Sequence, residues 1–343
     1  MPQNTDCSIV KLFAENLQLV ADQLSTGETS RDAAPNFSLD DFWDRFTSLT
    51  KALSAETTKL CLGFTSAPLP GADEQNYFTG RMQQMVLALI STFYSLPKAY
   101  GTQLRKSTRL ALIEVVSSLQ NLLLSIVSSG IQGVSLEELT STGEFWACCD
   151  RIEKLPRTNA GALHLVVKEE NTMVTDAFNE IKTAKENESE IPNVTPDILA
   201  EGMENLSVDN RDEESWSERD LTTVSAAMAL IKTGSFALKK MGPPLKRETM
   251  TTLDKAEAID DLAELVRKIS PGVDDLVLVL YPPMNRENVE KEIKSLHQCI
   301  RDVLEKCKDL AFCSETEQNW ITFLSDAADH NRKKTLDTLT VTT

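Results

Sequence analysis

Residues 39–64 read LDDFWDRFTSLTKALSAETTKLCLGF. Leu39, Phe42, Phe46, Leu49, Leu53, Leu60 and Phe64 recur at alternating spacings of three and four, the period that gathers apolar side chains on one face of a bundled helix. Ser38 supplies an N-cap, and the prolines at Pro68 and Pro70 end the pattern. Leu39, Phe46, Leu53 and Leu60 also repeat every seven residues. Glu56 interrupts the second seam position of that heptad, so the stripe reads as an intramolecular core seam rather than a coiled-coil dimer.

The same grammar continues on both sides. Ile9, Phe13, Leu17, Val20 and Leu24 predict a first amphipathic helix over residues 6–24, stopped at Gly27. A third spans 73–95 and a fourth 102–128, the latter burying Leu104, Thr108, Leu112, Val115, Leu119, Leu122 and Ile126. The capping box that begins at Ser135 opens a short helical turn, and a fifth helix spans 144–155. Pro156 breaks the pattern and marks the domain boundary. Five further helices follow, over residues 158–185, 216–241, 247–280, 285–312 and 317–339. The run LVLVLY at 276–281 has no partner strand and reads as the buried end of a helix stopped by Pro282 and Pro283. The expected fold is all-α: two tandem antiparallel bundles of about five helices each, similar to vinculin and talin modules. The N-terminal bundle covers 1–156 and the C-terminal one 157–343, with an acidic insert at 187–215.

That insert dominates the charge. Between Glu186 and Asp220 stand twelve Asp or Glu against Arg211 and Arg219, more than half of the net −17. With so little apolar surface to bury, ordering it would cost more entropy than it returns, so a solvated connector is expected. An acidic chain repels phosphate backbones and anionic lipid and favours basic protein surfaces. The position ahead of the 216–241 helix, where a DNA-reading helix-loop-helix protein carries basic residues, holds Asp212, Glu213, Glu214, Glu218 and Asp220 instead. No direct contact with nucleic acid is expected. No apolar run reaches the length of a membrane span and the N-terminus lacks a signal-peptide pattern, so an intracellular, soluble protein with no membrane partner is expected.

Candidate chemistry is sparse. Asp40, Asp41 and Asp44 form DDxxD, a spacing that in isoprenoid synthases holds magnesium and a diphosphate, but acidic residues in a capped first turn are explained by the helix dipole alone. Seven cysteines lack CxxC spacing and three histidines lack ExxH spacing, so no metal or other cofactor is expected. No nucleophile elbow, P-loop or dinucleotide fingerprint is present, which argues against an enzyme. Ser215 and Ser217 each have an acidic residue three positions on, Glu218 and Asp220, making them candidate phosphorylation sites; the alternative is that one of them caps the helix that follows. Lys239, Lys240, Lys246 and Arg247, with Arg332, Lys333 and Lys334, are candidates for nuclear import beside their plainer role at helix ends.

Particular strings add to this reading. Phe42-Trp43-Asp44-Arg45, Pro68-Leu69-Pro70, Leu96-Pro97-Lys98 with Gly101 and Leu104-Arg105-Lys106, and Ile269-Ser270-Pro271-Gly272-Val273-Asp274-Asp275-Leu276 ending in Tyr281-Pro282-Pro283-Met284 resemble the cyclin-D1-binding protein 1 family, also called Grap- and cyclin-D-interacting proteins. The resemblance implies a non-enzymatic, cytoplasmic and nuclear regulator that binds D-type cyclins and a Grap-type adaptor. It implies restraint of the cell cycle by limiting cyclin-D-dependent phosphorylation of the retinoblastoma protein, and a helix-loop-helix protein that itself lacks a basic region and partners helix-loop-helix transcription factors. The bundle architecture offers an alternative, a cytoskeletal scaffold of the vinculin and α-catenin type.

Overall fold

The computed structural model describes residues 7–26, 37–65, 68–129, 136–190, 215–248, 253–310 and 315–340. Among them are eleven α-helices, one 3-10 turn and no strand, the all-α fold that the periodicity predicts. Of the expected insert at 187–215, residues 187–190 instead form the last turn of the helix that begins at Asn159, and 191–214 lie outside the described residues. The chain divides into two compact units, Met1–Ala162 and Leu163–Thr343, with the division in the first turn of a helix that begins three residues after Pro156.

The first unit contains α1 (Ser8–Thr26), α2 (Leu39–Phe64), α3 (Ala72–Ser95), a 3-10 turn (Lys98–Tyr100), α4 (Thr102–Ser129) and α5 (Leu136–Glu153). The helices close a ring of neighbours, α1 on α4, α4 on α5, α5 on α2, α2 on α3 and α3 on α1. The expected seam of α2 faces inward: Phe42, Phe46, Leu53, Leu60 and Phe64 are buried, with Leu39 and Leu49 packed at the margin. Thr50 and Thr57 lie in the same stripe and stay satisfied because each hydroxyl donates to the carbonyl one turn back, Phe46 and Leu53 respectively. The capping-box turn and the fifth helix prove to be one continuous α5.

The second unit contains most of α6 (Asn159–Glu190), then α7 (Glu218–Arg247), α8 (Leu253–Val266), α9 (Ile269–Leu280), α10 (Arg286–Asp309) and α11 (Glu315–Thr340). α10 packs on α8, α9 and α11, while α7 lies antiparallel to α11 and touches α9 and α10. Side chains join α6 to α7 along their length, Ser235 Oγ donating to Asn171 Oδ1 at 2.9 Å and Lys185 Nζ to Ser225 Oγ at 2.7 Å.

Three expectations need correction. The helix expected over 247–280 is two, α8 and α9, broken at Arg267 and Lys268. Pro271 explains the break: a continuous helix would press its ring against the Arg267 carbonyl and leave that acceptor without an N–H, whereas in the first turn of α9 the missing donor costs nothing. Conversely, α7 does not stop at Gly242 but runs through Pro243 and Pro244 to Arg247. The carbonyls thus deprived belong to Lys239 and Lys240, at exposed positions open to water, while buried Met241 and Leu245 hold the turn in place. Finally, two helices, within Thr102–Ser128 and Glu218–Arg247, are long and apolar enough to cross a membrane by composition. Over half of each apolar window is buried inside its unit, as expected of the central helix of a bundle.

Candidate functional site

Apart from Pro68-Leu69-Pro70, which packs near Gly63 at the far end of α2, the strings that stood out in the sequence lie at two places, one in each unit. In the first, Trp43 is fully buried and its Nε1–H donates to the Arg157 carbonyl at 3.3 Å. Phe42 and Phe46 pack on it edge-on, and Phe37 and Tyr100 extend the cluster from Phe42, the pairs having ring centroids 5.1–6.2 Å apart. Each such pair adds roughly 0.5–1.5 kcal/mol beyond its buried area. Gly101 follows with φ +114, a conformation that penalises any side chain. Its open side is filled by Asn159, whose Oδ1 accepts from the Leu104 N–H at 2.9 Å and so caps α4 from a distant part of the chain. Thr158 caps α6 itself, accepting from Gly161 N at 3.1 Å. Arg105, in the same string, is wholly buried with its guanidinium 5.1 Å from the Phe93 ring centroid.

At the second place the buried Trp216 donates its Nε1–H to the Leu280 carbonyl at 2.6 Å and stacks on Tyr281, centroids 5.6 Å apart at 26°. Leu280 ends α9 and the following Pro282 has no N–H to offer, so the indole satisfies a terminal carbonyl that the helix cannot. Around this hinge stand Asp274, Asp275 and Glu180. Burial first, then Asp275 and Glu180, raise the Asp274 carboxyl above the usual range, and burial with Glu180 does the same for the Tyr281 hydroxyl. Leu278, one turn beyond Asp274, is 73% exposed.

Other polar groups are structural. Glu56 lies buried in the α2 seam and takes Lys59 Nζ at 2.8 Å and Arg81 NH2 at 3.1 Å. The Lys59 hydrogen bond leads, opposed by burial and aided by Arg81, in holding its carboxyl below the usual range. His164 packs against Gly242, and burial, then Lys246 and Lys168, hold its pKa down. Burial pushes the Cys149 thiol up to about 12, which leaves no nucleophilic thiolate at neutral pH.

The residues singled out in the sequence fare differently. Ser217 caps α7: its Oγ accepts from Asp220 N at 3.2 Å and donates to Asp220 Oδ2 at 2.7 Å. Ser215 is exposed just ahead of it. Asp40, Asp41 and Asp44 are exposed in the first turns of α2, Ser38 Oγ accepts from Asp41 N, and among the described residues no cluster of metal-ligand type occurs. Asn159 went unnoticed in the sequence although Pro156 two residues before Thr158 marks a helix start. Nothing local marked Trp216 as the partner of Leu280.

The fold and these two sites define a helical protein whose distinctive residues serve to join elements. Family models described as Grap2 and cyclin-D-interacting, N-terminal and C-terminal, match residues 45–187 and 201–305. A Xenopus laevis protein named cyclin-D1-binding protein 1 homolog is 33% identical over 328 residues, covering 95% of this chain and 97% of that protein. The Danio rerio homolog is 34% identical, covering 91% and 90%, and human cyclin-D1-binding protein 1 is 28% identical, covering 94% and 92%. The chain belongs to the Grap2 and cyclin-D-interacting family.

Proposed function

We propose that this chain is a non-enzymatic regulator that binds a D-type cyclin and a Grap-type adaptor. On this reading it restrains the cell cycle by limiting cyclin-D-dependent kinase phosphorylation of the retinoblastoma protein, and with it the transcription which that protein represses. The observation that carries the reading is the family match in both halves, with relatives named for cyclin D1 aligned along nearly the whole chain. The character of the two sites supports it, since Trp43, Gly101, Asn159 and Trp216 connect elements rather than gather reactive groups.

Titration of purified full-length chain against purified D-type cyclin in a calorimeter tests the first step. Saturable binding is expected, together with a fall in retinoblastoma phosphorylation when the chain is added to the cyclin–kinase complex; no heat and no co-elution would end the proposal. Partnership with helix-loop-helix factors finds less support. The helix pair that would have to dimerise, α7 and α8, has Leu230, Ile231, Leu238 and Leu262 fully buried in its own unit. Work in both cytoplasm and nucleus is proposed on the exposed lysines of α7 and α11, and cell fractionation with and without Lys239→Ala and Lys240→Ala tests it. Of the two candidate phosphorylation sites, Ser215 is the better acceptor because Ser217 is committed to the α7 cap.

A further inference from the structure

α7 carries no Asp or Glu between Asp220 and Glu248, yet it holds Lys232, Lys239, Lys240, Lys246 and Arg247, in a chain of net charge −17. Where those lysines point follows from what occupies the rest of the helix. A Cβ at Gly234 would meet Ile300 of α10 and Ile269 of α9, and one at Gly242 would meet His164 of α6. On the α11 side, Asn331 Nδ2 donates to the Ala229 carbonyl and to Thr233 Oγ1, Arg247 pairs with Glu317, and Arg219 reaches the Leu339 carbonyl. Three sides of α7 are thereby taken. Lys232, Phe236, Lys239 and Lys240, at helical spacings of three and four, are left on the fourth and are exposed.

The antiparallel register brings the matching flank of α11 alongside. Pairing of Arg247 with Glu317 and of Thr233 with Asn331 sets Phe323 beside Lys240 and Ala327 beside Phe236, with Lys334 further along the same flank. Phe236 is 44% exposed and Phe323 69%. The ammonium groups of Lys232 and Lys239 each lie 5.9 Å from the Phe236 ring centroid. Among the described residues, Lys232, Lys239, Lys240 and Lys334 form no ion pair. Two exposed aromatic rings bordered by lysines without carboxylate partners, with Asp326 the one acid a turn from Phe323, have the anatomy of an interface, an apolar anchor site with a charged border.

We infer that the outer face shared by α7 and α11 is a docking surface for an acidic segment of a protein partner that carries aliphatic side chains. The cations select the carboxylates and speed the encounter, and the two rings take up the aliphatic groups. The inference rests on the reading of the chain as a protein-binding regulator and names a surface for that role.

The probe is a fluorescein-labelled 20-residue peptide alternating Glu pairs with Leu pairs, titrated into the full-length chain and followed by anisotropy. Saturable binding is expected. It should weaken about 30-fold in Phe236→Ala/Phe323→Ala and at least as much in Lys232→Glu/Lys239→Glu/Lys240→Glu. Replacing the same lysines by arginine should preserve it. The lysine variants should melt as the parent does, and the alanine variant slightly below it because Phe236 is more than half buried; should one variant fail to fold, the other decides. A peptide with Lys for Glu, or with Gly for Leu, should not bind. The inference is overturned if the acidic peptide does not bind, if both variants bind it as the parent does, or if phosphatidylserine vesicles or single-stranded DNA bind this face more tightly. Parallel titrations use a D-type cyclin. Peptide capture without cyclin binding removes the cyclin reading and keeps the face; cyclin binding untouched by either variant, with no peptide capture, removes the face and keeps the reading.

Discussion

Gly101 and Asn159 illustrate how one backbone position becomes obligatory. A methyl group at Gly101 would sit 2.0 Å from Asn159 Cγ, and φ +114 is strained for any L side chain. Gly101→Ala is therefore expected to cost several kcal/mol, roughly 1–2 from the backbone and the rest from the clash. Asn159→Ala removes the cap on Leu104 and should cost about 1 kcal/mol. Combined, the two should cost less than their sum, because the second substitution clears the space that the first needs; urea unfolding of the three variants measures the coupling. Acid should also find weak points. Glu56 titrates lower in the folded chain than its usual 4.5, so its contribution is complete above that value and is lost as pH falls through the folded value. His164 has its folded pKa depressed from 6.5, so the unfolded chain takes the proton first and stability falls below that pH. Stability measured from pH 7 down to about 2 should therefore decline in two stages, and Glu56→Gln should flatten the lower one, below 4.5, while costing about 1–2 kcal/mol at pH 7.

Among the helices, α9 has its last carbonyl satisfied by a distant side chain. Trp216→Phe keeps the stack on Tyr281 but leaves the Leu280 carbonyl without its donor, which should cost about 1–2 kcal/mol. Amide exchange should rise over residues 276–281 and stay unchanged in α1 to α5. The existence and type of nearly every helix could be read from apolar spacing, because packing on one face is what the spacing encodes. The seam of α2 is the clearest case; Glu56 was visible there only as an interruption of the heptad, and its burial against Lys59 and Arg81 depends on α3 packing alongside. What spacing could not show was how prolines would be accommodated. Pro243 and Pro244 look like a stop, yet sit within a helix whose exposed carbonyls turn to water; Pro271 looks like a start, yet the break it causes lies three residues earlier. The α7–α11 face was equally hidden, since Lys239 and Lys240 were visible as a cluster but their alignment with Phe323 depends on the antiparallel register set by Asn331 and Glu317.

At the scale of the whole chain, charge is segregated. The acidic stretch 191–214 holds seven carboxylates against Arg211, while the following helix presents a cationic, aromatic surface. Partners that contact the acidic stretch should bind more weakly as salt is raised, over the range where the screening length falls from about 10 to about 3 Å. Deleting 191–214 and repeating the cyclin titration separates that contribution from the α7–α11 face: loss of salt dependence with retained binding assigns the electrostatics to the stretch. The tryptophans are likewise distributed, with Trp43 and Trp146 in the first unit and Trp216 and Trp320 in the second. Trp43 and Trp216 are both buried beneath neighbouring rings. Each unit thus carries one tryptophan shielded from added quenchers until the packing around it opens, beside a more accessible one, Trp146 or Trp320, that responds from the start. Substituting Trp43 and Trp146 by Phe in one sample and Trp216 and Trp320 in another would let the melting of either half be watched separately, and would show whether the two halves come apart together or in turn.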